Sequence, residues 1–385
     1  MRTKLRRFLA KLRSATAGAG QHDTARVDHL SDQQLAQLER ALARRLLGDA
    51  SDPARYVDDR AHPVDNPLAR VLRESTHALW NTKVLGSELA RMLYERNVAG
   101  PHVRPPDQPV TVGLGSTLCR QADIEHAWLQ HWCGQLHIQP LYHRKVWEDC
   151  FVIQALWEHG MLQAGKRGLG FAVGTEPLPS FFAGRGIEVL ATDIEASDAR
   201  ASGWKHSNQH AADISALHKP WLVDRARFEQ NCRFRPVDMN HIPRDLHGGF
   251  DFCWSVCSLE HIGSIEKGVQ FVLNSVECLV PGGVAVHTTE FNLYADGPTI
   301  DDWPTVLFQK GHIEALRDRL AGRGHRLLDL SFDPGTGVLD RFVDVPPFEH
   351  QPRSSLHYAA APHIKLSVDG FPVTSIGLII QAKGA

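Results

Sequence analysis

From about residue 167 onward the chain alternates short apolar runs with amphipathic stretches. The runs stand near 167–171, 187–192, 233–237, 250–255, 284–289, 326–331 and 373–381, and residues 265 to 279 between the fourth and fifth repeat at helical spacing. This alternation is what a parallel sheet with crossover helices requires. Upstream the periodicity is helical. Leu35, Leu38, Leu42 and Leu46 form one apolar face behind Ser31-Asp32-Gln33-Gln34, which reads as a capping box. Asn66-Pro67 supplies cap and first-turn signals for a long helix reaching about Asn97, and the Pro-rich stretch 101–109 ends it. A short strand is expected at Val110–Leu114, a helix at Gln121–Trp132 and another at Tyr142–Leu162.

These patterns divide the chain into a basic segment and linker (1–25), a mainly helical region (26–142) and an α/β domain (143–385). Arg2, Lys4, Arg6, Arg7, Lys11 and Arg13 surround Leu5, Phe8, Leu9 and Leu12. The plain reading of residues 2–13 is a frayed terminal helix; the sharper one is a weak anchor on an anionic membrane surface. No apolar run approaches the ~18 residues of a membrane span, and the segment lacks the core of a signal peptide. A cytoplasmic protein, with peripheral contact at the inner membrane surface as the further option, is therefore expected. The formal net charge of -2 gives no general attraction for nucleic acid. Seven scattered cysteines without Cys-x-x-Cys suggest neither a zinc site nor a disulfide framework, and no metal site is expected.

Four ordered segments carry the candidate chemistry: Gly170-Phe171-Ala172-Val173-Gly174-Thr175-Glu176, then Asp193, then Val237-Asp238-Met239, then Val280-Pro281-Gly282-Gly283. A glycine turn at a strand's end lets backbone approach a ligand closely, and an acid 19 residues after Gly174 can accept hydrogen bonds from both hydroxyls of a ribose. Asp238, 45 residues further on, suits an adenine amino group. In order and spacing these segments resemble the class I S-adenosylmethionine-dependent methyltransferases, over roughly residues 145–382. Phe250-Asp251-Phe252-Cys253-Trp254-Ser255, with Leu259-Glu260-His261 after it, resembles that family's fourth strand and the stretch behind it.

The resemblance implies a Rossmann-like, mostly parallel sheet of seven strands with the last antiparallel, behind an N-terminal helical extension. It implies S-adenosyl-L-methionine as cofactor, held by Gly170, Ala172, Gly174, Thr175, Glu176, Asp193, Ile194, Asp238, Met239, Ser255 and Val256. Trp147 and Glu148, on the helix before the first strand, would lie near it, with packing as the plain alternative. The chain departs from the family where Gly170 replaces the usual acid, Ala172 the first glycine and Glu176 the last; Glu176 is the candidate for the missing charge. Methyl transfer from a sulfonium asks chiefly for orientation and, with a hydroxyl acceptor, a base. His261 and Glu290 are the candidates. A small molecule or glycan is the expected acceptor, methylated on oxygen. Two other readings stand beside this one. A nicotinamide-dependent oxidoreductase or epimerase would share the glycine turn and ribose acid but wants Gly-x-Gly-x-x-Gly. A nucleotide-binding module could have kept the fold without catalysis. Two long connections, 194–233 with Trp204, Lys205, His206, Gln209, His210 and Trp221, and that between the sixth and seventh strands with Asp340, Arg341, Asp344, Pro346 and Pro347, are candidates to close over a substrate.

Overall fold

The computed structural model describes residues 67–100, 104–198, 210–211, 213–294, 296–346, 348 and 361–384. The basic segment 2–13, the leucine-rich helix at 35–46, the residues Trp204 to Gln209 and Pro347 lie outside the described residues. The chain divides into two units, residues 1–81 and 82–385. Helix α1 (Pro67–Asn97) runs through this boundary.

In the second unit the elements follow as β1 (Thr117–Leu118), α2 (Gln121–Glu125), α3 (Ala127–Leu136), α4 (Arg144–Glu158), β2 (Arg167–Gly170), α5 (Leu178–Gly184) and β3 (Glu188–Asp193). Then come α6 (Arg225–Asn231), β4 (Cys232–Pro236), β5 (Phe250–Val256), α7 (Ile265–Val276), β6 (Leu279–Asn292), α8 (Lys310–Gly322), β7 (Arg326–Leu327), β8 (Val343–Asp344), β9 (Lys365–Val368) and β10 (Phe371–Gln381). The sheet order is β4-β3-β2-β5-β6-β10. The first five strands are parallel and β10 runs antiparallel to β6 from Val373↔Asn292 to Gln381↔Val284. This is the Rossmann-like fold with an inserted antiparallel strand. Chain order reverses between β2 and β5, so the crevice at their carboxyl ends is where an open α/β sheet binds ligands.

Both faces of the sheet are covered, which is why β2, β3 and β5 read as apolar runs rather than alternating ones. Phe181, Phe182, Phe252 and Trp254 fill one side with edge-on ring contacts, and Phe171 and Phe271 meet on the other. Helix α4 is buried nearly all round from Arg144 to Leu156. It lies close enough to β10 that a methyl group at Gly377 would enter the Phe151 ring.

Several expectations are corrected. Ten strands stand where seven were expected, among the described residues: the additional three are β1, on β10 at Ile376–Gly377, β9, on β10 at Phe371–Val373, and β8, which pairs β9, while the expected sixth strand, β7, lies on β10 at Ile380–Gln381. The sixth expected strand, 326–331, shrinks to two residues, since Ser116 takes over its backbone through Ser116 N to Leu328 O and Ser331 N to Ser116 O. Residues 110–114 form no strand; the amides of Val112 and Leu114 donate to the two carboxylate oxygens of Glu158, each at 2.8 Å. The helix expected over 121–132 breaks at His126, whose extended backbone caps α3. The Pro281-Gly282-Gly283 turn is absorbed into the start of β6, as an irregularity in its register with β5. Residues 117–136 belong by their contacts to the same unit as the sheet.

Gly377→Ala tests the packing of α4 on β10. Overfilling a close-packed contact costs about 1–3 kcal/mol, so the variant should shift the denaturant midpoint down with unchanged slope. An unaltered midpoint would mean that Phe151 swings aside at no expense.

Candidate active site

After β2 the chain turns sharply, with positive φ at Ala172 (48°) and Gly174 (50°). Phe171 N bonds Trp254 O on β5 and Val173 N bonds Thr192 O on β3, so the turn is clamped between the two neighbours. Gly170 is a packing requirement: a Cβ there would enter the Trp254 indole and strike Val173. The same indole donates from Nε1 to Glu176 Oε1 at 2.6 Å. Trp254 thus occupies the space beside Gly170 and takes a hydrogen bond to the buried Glu176. Thr175 is exposed at the tip of the turn.

Asp193 ends β3 and is 6% exposed. Its Oδ1 accepts from Ile194 N at 2.8 Å and its Oδ2 from Ala211 N at 3.1 Å, and the Gly174 amide also points at it. Burial raises its carboxyl above the usual range, while these amides and His210 pull it down. The segment after β3 therefore folds back on Asp193, with His210 Nε2 meeting Ile194 O at 2.9 Å. Val237 N bonds Asp193 O, bringing the next residue, Asp238, to the same end of the sheet. Asp238 is half-buried; its Oδ1 accepts from Asn240 N at 2.9 Å, and Met239 beside it is buried.

Ser255 points away from this crevice. It is fully buried and bonds His287 Nδ1 at 2.8 Å, whose other ring nitrogen meets Ser275 Oγ at 2.9 Å. Burial drives the His287 imidazole down to about 3, so it stays neutral. Val256 is buried at the strand's end, and Cys257 beyond it has φ 43°. Ser258 Oγ reaches Ala172 O at 3.4 Å, joining this end to the glycine turn.

Around that end lies a buried ionic network. Arg144 Nη1 donates to Glu148 Oε1 (3.0 Å), Ser375 Oγ (3.2 Å) and Cys257 Sγ (3.1 Å), and its Nη2 pairs with Glu290 Oε1. Ser375 and Cys257 both donate to Glu148 Oε1, and Lys145 Nζ pairs with Glu148 Oε2 at 3.1 Å. Ser375 and Glu290 are register partners across β10 and β6. Burial opposes charge on Glu148, but Lys145, Arg144 and the two donors outweigh it and hold its carboxyl at about 2. Trp147, by contrast, is core: it stacks on Phe151 and donates to Asp123 Oδ2.

Of the two candidate bases, His261 sits on a single 3-10 turn, its Nδ1 3.1 Å from Pro304 O and from Thr305 Oγ1, its Nε2 3.9 Å from Glu260 Oε1. Glu290 is 7% exposed on β6, inside the network. Residues 304–308 lie along both, through Val306 N to Glu260 O and Phe308 N to Glu290 O. Among the connections expected to close over a substrate, Asp340 accepts from Gln121 N and Gly337 N, and Asp344 pairs with Lys83 at 2.7 Å and His363 at 2.8 Å. These acids anchor the loop. Among the described residues no three metal-ligating side chains gather, and no helix is long and apolar enough to cross a membrane.

Arg144, Cys257, Ser375 and Trp254 enter the site without having been singled out from sequence. One signal was available for the first: Arg144 and Glu148 stand at i,i+4 on the expected helix.

No family model matches the chain, and no curated protein matches it. Solved structures share its fold loosely. A protein of Galdieria sulphuraria provisionally named sarcosine dimethylglycine methyltransferase is 14% identical, over 76% of this chain and 98% of that one, with a TM-score of 0.38. The [4+2]-cyclase SpnF is 16% identical over 62% and 84%, TM-score 0.37. An S-adenosylmethionine-dependent methyltransferase of Mesorhizobium loti is 14% identical over 59% and 97%, TM-score 0.33. At these values the function must be argued from the chain's own residues.

The Glu148 carboxyl gives a pH test. Its folded pKa lies below its unfolded one, so its contribution is complete above about 4.5 and is lost as pH falls toward about 2. The stability difference between wild type and Glu148→Gln, from urea unfolding, should grow from pH 2 to about 4.5 and then level off. A difference independent of pH would show that Glu148 is not held ionised.

Proposed function

We propose that the chain is a methyltransferase that uses S-adenosyl-L-methionine and methylates a small molecule or glycan on oxygen. The observation that carries this reading is the antiparallel β10 between β6 and β7, on a sheet whose switch point holds the glycine turn and Asp193 together. A nicotinamide oxidoreductase would share the acid, but its sheet has no need of this strand. Asp193 has a carboxylate with about four lone-pair directions. Three backbone amides leave room for a ribose hydroxyl, and displacement of Ala211 N would free room for the second. Asp238, with the Met239 backbone, would hold the adenine, and Ile194 would pack on it. Gly170 to Glu176 would hold the methionine end through backbone, since the Glu176 carboxylate is engaged by Trp254.

In the transfer the bond from methyl carbon to sulfur breaks, its electron pair stays on sulfur as a thioether, and the acceptor oxygen forms the new bond and gives up its proton. Glu290 suits this proton better than His261. Its Oε2 is buried and has no hydrogen-bond partner, whereas His261 Nδ1 is engaged by residues 304 and 305. Orientation of the acceptor supplies the rest.

Calorimetric titration with S-adenosylhomocysteine tests the cofactor. Wild type should bind it in preference to NADH, and Asp193→Ala should bind it about 30- to 1000-fold more weakly, the worth of two charge-assisted hydrogen bonds. Unchanged affinity in a folded variant would remove Asp193 from the site.

A further inference from the structure

The network at the ends of β5 and β6 is incomplete in one direction. It brings two cations, Arg144 and Lys145, together with three carboxylates, Glu148, Glu260 and Glu290. Glu148 Oε1 is bonded by Arg144, Cys257 and Ser375, and its Oε2 has the Lys145 ion pair without a hydrogen bond. Glu260 is wholly buried, its Oε2 accepting from Thr289 Oγ1 at 3.0 Å, and its Oε1 has no hydrogen-bond partner. His261 Nε2 stands 3.9 Å from it, beyond hydrogen-bond reach. Glu290 Oε2 is likewise buried and unpartnered. The charge of Glu290 adds to burial in raising Glu260, and the backbones of the two residues are tied to one segment through Val306 N to Glu260 O and Phe308 N to Glu290 O. On the donor side only Arg144 Nε lacks a partner.

Buried polar atoms are nearly always satisfied, and those left open in a crevice point to what fills it. Here the deficit is two acceptors on acids, beside a surplus of one negative charge. A hydroxyl offers a single donor and no charge, and an anion would be repelled by both oxygens. A protonated amine offers two or three donors and the missing positive charge. We propose that Glu260 Oε1 and Glu290 Oε2 form a binding site for a primary or secondary ammonium group, borne by the methyl acceptor or by the amino-acid end of the cofactor itself. The proposal rests on the methyltransferase reading for what the ammonium belongs to, but the site is defined by its own atoms. With an amine-bearing acceptor, the ammonium anchors the molecule and occupies Glu290 Oε2, so a hydroxyl of the same molecule is methylated through orientation and its proton passes to solvent rather than to Glu290.

Thermal-shift titrations of the full chain, with and without saturating S-adenosylhomocysteine, test it. Ethanolamine and glucosamine are the ammonium probes; ethylene glycol and glucose are their neutral counterparts at matched ionic strength. The ammonium probes should raise the melting temperature and the neutral ones should not. Glu290→Gln, which keeps a hydrogen-bond acceptor for Arg144, and Glu260→Gln, which leaves the Arg144 pair intact, should each weaken the response about 10- to 100-fold in apparent affinity. A second arm assigns the source. If the cofactor's ammonium is bound, both variants lose affinity for S-adenosylhomocysteine but not for 5′-methylthioadenosine, which lacks the amino acid; if the acceptor's is bound, both nucleosides keep their affinity. Equal responses to neutral and ammonium probes, or two folded variants identical to wild type in both arms, would overturn the proposal. A wild type that responds to the amines yet binds neither nucleoside would instead overturn the methyltransferase reading and leave this site standing.

Discussion

Arg144 is the fixed point of the site. From the first turn of α4 it reaches Ser375 on β10, Glu290 on β6, Cys257 after β5 and Glu148 one turn further along its own helix. A guanidinium buried this deeply is tolerable only when its fork is filled, and removing one member of a buried pair costs several kcal/mol because it strands the other. Helix α4, the antiparallel strand β10 and the end of β5 therefore cannot shift separately. Gly377 adds the steric half of the constraint, since α4 seats Phe151 where any side chain on β10 would be.

The same economy explains the altered glycine motif. The indole of Trp254 fills the space beside residue 170, so no acid can stand there, and its Nε1 is satisfied by Glu176 at the far side of the turn. Tryptophan and glutamate are one exchange: with Trp254 in place, a glycine at 176 would leave a buried indole N–H unpaired, at a cost of about 1–3 kcal/mol. The notion that Glu176 supplies charge to a ligand gives way to a structural role, and any positive end of a ligand must find its carboxylate elsewhere.

The sheet was legible because its signal is local: a fully covered parallel strand must be apolar throughout, and β2, β3, β4, β5 and β10 fall within a few residues of their expected places. The places of Asp193 and Asp238 at one end of the sheet were legible because strand ends place residues by count alone. What escaped notice depends on contacts remote in sequence. Nothing near Val110 says that Glu158 will take its amides, and nothing near Ser375 says that it faces Glu290 across β10 and β6. Ser255 was misplaced by one step of strand alternation: Trp254 faces the glycine turn, so its neighbour must face His287.

The charge pattern also bears on the direction of the proposed reaction. A sulfonium donor loses its positive charge as the methyl leaves, and the acceptor gains it until its proton departs. Preorganised groups speed such a step when they face the place where charge develops rather than the place it leaves. Unpartnered carboxylate oxygens stand at Glu260, after β5, and at Glu290, near the end of β6, whereas the acid in the turn after β2 is hydrogen-bonded by an indole that leaves its charge in place. The Gly170 and Glu176 departures are a packing arrangement around Trp254, separate from the acids of the buried network, so the charge that the proposed reaction develops must be met by those acids and not by the turn.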